Sequence, residues 1–105
     1  MNKQEKETQD QIIISFLLGK ELRIGKYYTD GEKIYYRDKN KLELSLCVSR
    51  SSEGIILQTS SFSDNIKRLF NLLPFVKVTQ KNFKWYLNGE EWDGKPRHTP
   101  GVIFN

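Results

Sequence analysis

One histidine, one cysteine, one methionine and three prolines in 105 residues leave this chain short of the groups from which chemical sites are built. Catalysis needs side chains whose pKa can be placed near neutrality, or metal ligands that converge on one point. His98 and Cys47 lie far apart in sequence, neither has a partner at motif spacing, and the carboxylates do not cluster. There is no Gly-x-x-x-x-Gly-Lys loop, no Gly-x-Gly-x-x-Gly, no Cys-x-x-Cys and no His-Glu-x-x-His. The aromatic signature of an RNA-recognition motif is missing, and no helix-turn-helix pair is evident. The expectation is a protein that binds rather than catalyses, with neither cofactor nor metal. Dispersed Tyr, Arg and Lys, as in small nucleases, are the remaining enzymatic route.

A single cysteine cannot close an internal disulfide, which suits a reducing compartment. No apolar run approaches the roughly 20 residues that span a bilayer. Met1-Asn2-Lys3-Gln4-Glu5-Lys6-Glu7 is too polar and acidic for a secretory signal. A soluble cytoplasmic protein without membrane contact is expected.

What is present is enough for one core. A chain of 105 residues is one domain of ordinary size, with 37% hydrophobic and 12% aromatic residues. Seventeen Lys and Arg against thirteen Asp and Glu give a net charge of +4. This mild bias is consistent with a nucleic-acid partner or an acidic protein surface.

The pattern predicts a helix over residues 3–18, closed by Gly19, with residues 1–10 solvated. Either Ile13, Phe16 and Leu17 or Ile14, Leu17 and Leu18 form its packing side, although three successive isoleucines also suit a buried strand. Asp30-Gly31 reads as a two-residue hairpin turn between strands at 22–29 and 32–37, because such turns need positive φ. Residues 38–41 turn the chain into a third strand, where Leu42, Leu44, Leu46 and Val48 alternate with Glu43, Ser45, Cys47 and Ser49. Another turn at 50–54 leads to a strand at 55–59.

Ser63 and Asp64 open a second helix, whose Ile66, Leu69, Phe70 and Leu73 make one apolar stripe before Pro74. A strand at 75–79 follows. Asn88-Gly89 then closes a second hairpin between 83–87 and 90–93, setting Trp85 opposite Trp92. Residues 94–105 read as a loop or tail, anchored by Val102, Ile103 and Phe104. The sum is one α+β domain: an antiparallel meander with two such hairpins and six to seven strands, two helices packed on one face.

The first hairpin interleaves bases and rings. With the turn at Asp30-Gly31, Lys26, Tyr28, Lys33, Tyr35 and Arg37 share one face, opposite Tyr27, Ile34 and Tyr36. Rings beside cations suit single-stranded nucleic acid. An ordinary solvated strand, with lysines discouraging edge pairing, looks the same. Lys67, Arg68, Lys77, Lys81 and Lys84 form a second basic group, with Lys67 and Arg68 pointing to solvent. Trp85, Phe83 and Leu87 read as core or rim, and Trp92 as either core or binding anchor. His98, in a proline-flanked loop, reads as a bystander, and Cys47 as a packed or edge thiol.

With hairpins at Tyr27–Arg37 and Phe83–Trp92 flanking the helix Ser63–Leu73, the chain resembles the small accessory proteins of phages and mobile elements. Within that type it is similar to anti-CRISPR inhibitors. The resemblance is one of type over the whole chain and transfers no individual residue. It implies a partner that is a nucleic-acid-guided effector, its guide, or another host protein. The expected function is a non-enzymatic inhibitor or adaptor docking on a host protein or ribonucleoprotein. The binding residues would be Lys26, Tyr28, Lys33, Tyr35, Arg37, Lys67, Arg68, Lys84 and Trp92. Direct binding of single-stranded RNA or DNA is the alternative, and a self-associating structural subunit is a second.

Overall fold

Asn2 starts the first helix. Its side chain accepts from the Glu5 amide at 2.8 Å, satisfying one of the donors that open every helix. Helix α1 then runs Lys3–Leu17 in the computed structural model, which describes residues 1–38 and 41–99. Gly19, at φ +71, follows its end as expected. The buried stripe is Gln9, Ile12, Ile13 and Phe16, while Ile14 and Leu18 point outward.

The solvated start expected for residues 1–10 is therefore only partial. Gln9 sits in the core because every polar atom of its amide is used. Its nitrogen donates to the Tyr27 hydroxyl at 2.8 Å and the Asn65 carbonyl at 2.7 Å, and its oxygen accepts from Arg68 at 2.8 Å.

Where one strand was expected over 22–29, the chain makes two. Strand β1 (Leu22–Ile24) and β2 (Tyr27–Thr29) are separated by Gly25, at φ +57, and Lys26. Next come β3 (Lys33–Arg37), β4 (Leu44–Ser51), β5 (Gly54–Leu57) and helix α2 (Asp64–Asn71). Strands β6 (Val78–Lys81), β7 (Lys84–Leu87), β8 (Glu90–Trp92) and β9 (Arg97–Thr99) complete the order. Two antiparallel sheets result: β1-β2-β3-β4-β5-β9 and β6-β7-β8. The α+β class and antiparallel meander hold, but there are nine strands among the described residues rather than six or seven. One of them, β9, lies where a loop was expected and pairs with β5. Val102, Ile103 and Phe104, and the middle of the turn at 38–41, lie outside the described residues.

The Asp30-Gly31 turn does not close after two residues. Thr29 pairs with Ile34 and Tyr28 with Tyr35, so four residues form the loop. The Asp30 carboxylate accepts from the amides of Glu32 and Lys33 at 2.9 and 2.8 Å. A Cβ on Gly31 would fall 2.5 Å from the Gly19 carbonyl oxygen, so the loop is pressed against the end of α1. The register differs from the expected one by two residues. An even slip leaves every side chain on its expected face.

Strand β4 departs further. Ile34 pairs with Val48 but Tyr35 pairs with Leu46, which makes Cys47 the extra residue of a bulge. The bulge sends Leu44 and Leu46 to the outer face of the sheet and buries Cys47 beside Val48. Leu42, expected in the core, is 97% exposed.

Helix α2 follows expectation, with Ser63 accepting from the Ile66 amide at 3.3 Å and Ile66, Leu69, Phe70 and Leu73 buried. Of the strand expected at 75–79, only the part from Val78 forms. Asn88-Gly89 turns β7 into β8, and Trp85 lies opposite Trp92 as expected. Asn82 and Phe83, both at positive φ, form a further two-residue turn, where Phe83 was expected within a strand. Both helices and the inner faces of both sheets join one core. Among the described residues no helix is long and apolar enough to cross a membrane.

Candidate binding face

Alternate residues of a strand share a face. Burying Tyr27, Thr29, Ile34 and Tyr36 therefore sends Tyr28, Lys33, Tyr35 and Arg37 to the outer side of the larger sheet. The expected face exists, and four of its five members are on it.

Two rows of side chains cross that face. In the first, Arg23, Tyr28, Tyr35 and Leu46 are cross-strand neighbours over β1 to β4. The two tyrosine rings are 6.0 Å apart and tilted by 31°, and the Arg23 guanidinium stands 4.8 Å from the centre of the Tyr28 ring. Tyr28 is thus flanked by a cation on one side and a ring on the other. Its hydroxyl donates to Glu21 at 2.9 Å, and that bond raises its pKa above the ordinary phenol value. In the second row, Lys33, Ser49, Ile56 and His98 follow one another over β3, β4, β5 and β9. Ser51 and His98 reach across the side-chain-free Gly54, bringing Oγ and Nε2 to 2.5 Å. Arg37 stands opposite Leu44.

Charge is the distinguishing property of this surface. Among the described residues no carboxylate lies within ion-pair distance of Arg23, Lys33 or Arg37. Half-buried Leu44, Leu46 and Ile56 lie between and beside these cations and the tyrosines. Tyrosine and arginine, of which this face carries two each, are residue types enriched at protein interfaces.

The other expected binding residues are engaged elsewhere. Lys26 turns inward to pair with Glu5 at 2.8 Å and leaves the row. Lys67 pairs with Asp64 at 3.5 Å on its own helix. Arg68 does not point to open solvent: it clamps α2 to α1 through Gln9 and Asp10. Lys84 pairs with Glu91 at 3.4 Å. Trp92 is a core residue, 3% exposed, packed on Phe70 with its indole N–H donating to the Lys95 carbonyl at 2.8 Å.

Arg23, Leu44, Leu46, Ser49, Ile56 and His98 are the members of the face that sequence reading missed. Arg23 had a legible signal, since a glycine inside an apolar strand pattern, as at Ile24-Gly25, marks a turn. The leucines had none, because the bulge that exposes them leaves their alternation intact. No protein-family model, curated protein or solved structure matches this chain.

Proposed function

We propose that the chain is a non-enzymatic binding protein of the cytoplasm, an inhibitor or adaptor that docks through the outer face of its larger sheet on an acidic or phosphate-rich surface of a host nucleoprotein. Anti-CRISPR inhibitors of phages and mobile elements, which it resembles in type, are the model for such a role. The observation that carries this reading is the set of three cations, Arg23, Lys33 and Arg37, held without carboxylate partners among the described residues around Tyr28 and Tyr35. Cations left unpaired have no ion pair to break on meeting an anionic partner, and their field steers the encounter.

Direct binding of single-stranded RNA or DNA is the second reading, favoured by the same pair of rings. Stacking a base on Tyr28 requires a bare ring face, yet Arg23 and Tyr35 flank that ring on either side. Docking on a folded partner needs no such rearrangement and is preferred.

The test is the double reversal Lys33→Glu with Arg37→Glu. Folding is expected to change by less than about 0.5 kcal/mol, as for most exposed sites. Affinity capture from host lysate, quantified by mass spectrometry, should lose a partner that the wild type and a Lys3→Glu, Lys6→Glu control both retain. Equal recovery by all three proteins removes the face. Salt-sensitive binding of fluorescent single strands by the purified wild type transfers the proposal to the second reading.

A further inference from the structure

Phe83 occupies an unfavourable backbone position and gains nothing within its own chain by doing so. Asn82 and Phe83 lie at φ +53 and +65 in the turn joining β6 to β7. Such turns favour glycine, since a Cβ is crowded at positive φ. The neighbouring Asn88-Gly89 turn of the same sheet obeys that preference. The side chain of Phe83 is 99% exposed. Phe75 shares the positive φ and the exposure, so what singles out Phe83 is the cleft beside its ring.

Beside the ring lies an open cleft of about 290 Å³ lined by Phe62, Gln80, Phe83 and the little that the core residues Trp85 and Trp92 expose. Phe62 stands edge-on to Trp85 at 5.0 Å and is itself half exposed. The charges at the rim, Lys84 and Glu91, neutralise each other at 3.4 Å. Unlike the basic face, this place has no net charge to hold a polyanion, and its rings suit a flat apolar group. The chain carries such a group at the lip of the cleft.

We infer that the cleft of one molecule receives Phe83 of a second copy, and reciprocally, about a two-fold axis beside the β6–β7 turn. A self-complementary patch needs its knob and its hole side by side, and both are here. Pairing of strand edges is the poorer route. The Asn71 side chain occupies the N–H and C=O of Val78 on β6 (2.7 and 2.9 Å), and Arg97 takes the Glu91 carbonyl on β8 at 3.1 Å. Both edges of the small sheet are blunted by side chains. The patch is smaller than the roughly 800 Å² per partner of a stable interface, so the association is weak and concentration-dependent.

Sedimentation velocity of the intact chain tests this. From about 10 μM to about 1 mM the wild-type mass should rise from 12.4 kDa toward twice that value. Phe83→Asn suits a left-handed turn and keeps the fold, with a melting temperature at or above wild type, yet should weaken association at least about tenfold. Phe75→Asn is the control: Phe75 is also exposed at positive φ, but it adjoins Asn88 and does not line the cleft. It should associate like wild type. A wild type that stays monomeric throughout, leaving the cleft to some other occupant, overturns the inference. So does a Phe83→Asn variant that associates undiminished, or a Phe75→Asn variant that loses as much.

Discussion

Arg50 does the work of three residues. Helix α1 has no basic residue in its last turn, where the exposed carbonyls of a helix attract a cation. Arg50, from β4, supplies it: Nη2 donates to the carbonyls of Phe16 and Leu17, while Nε donates to the Gly31 carbonyl at 2.9 Å. Its guanidinium also lies 4.9 Å from the centre of the Phe16 ring. Only a planar fork can reach helix end and loop together. Arg50→Ala should therefore lower stability by about 2–3 kcal/mol, since charged hydrogen bonds to partly buried carbonyls are lost. Arg50→Lys should recover less than half of that loss, measured by urea unfolding. Full recovery by lysine would mean that charge alone matters. Nothing in the sequence marks this arginine, which reads there as the first residue of a turn; its partners are all distant in the chain.

Single elements were legible where their determinants are local. The Ser63 cap, the stripe on α2 and the Asn88-Gly89 turn depend on neighbours a few residues away, and each forms as expected. The β2–β3 loop and the bulge at Cys47 depend on contacts with other parts of the fold, and neither was legible. The candidate face survived because the register error was even, keeping Tyr28, Lys33, Tyr35 and Arg37 together. Lys26 left it because Glu5 holds it, and in the second basic group Lys67, Arg68 and Lys84 are likewise each held by a carboxylate or an amide that a face pattern does not reveal. The loop also makes a pH prediction. Hydrogen bonds from the Glu32 and Lys33 amides hold the Asp30 carboxyl below its ordinary value of 3.8. A depressed carboxylate stabilises fully above the unfolded value and loses that contribution as pH falls through the folded one. Asp30→Asn keeps an acceptor but no titrating charge. Wild type should exceed this variant slightly in urea midpoint near pH 6, and the difference should shrink as the pH falls below the ordinary value of 3.8. A difference that is constant across that range would show that the charged form contributes nothing.

The whole molecule separates its surfaces by charge pairing. Among the described residues Arg23, Lys33 and Arg37 on the outer face of the larger sheet have no carboxylate partner, whereas Lys67 and Arg68 of α2 and Lys84 of the small sheet are matched at 3.3–3.5 Å. Its interior also has a temporal side. The buried amide of Gln9 is complete only when Tyr27, Asn65 and Arg68 have all arrived, and Glu5 likewise waits for Asn65 at 3.0 Å. Contacts so distant in sequence slow folding, because the closing loop must form before they contribute. A short, half-polar helix has little stability of its own in water. A chain ending at residue 62 should therefore show no cooperative thermal transition by circular dichroism, while the intact chain does. A sharp transition in the fragment would contradict this. On the ribosome, α1 is made well before α2 yet is not fixed until α2 arrives.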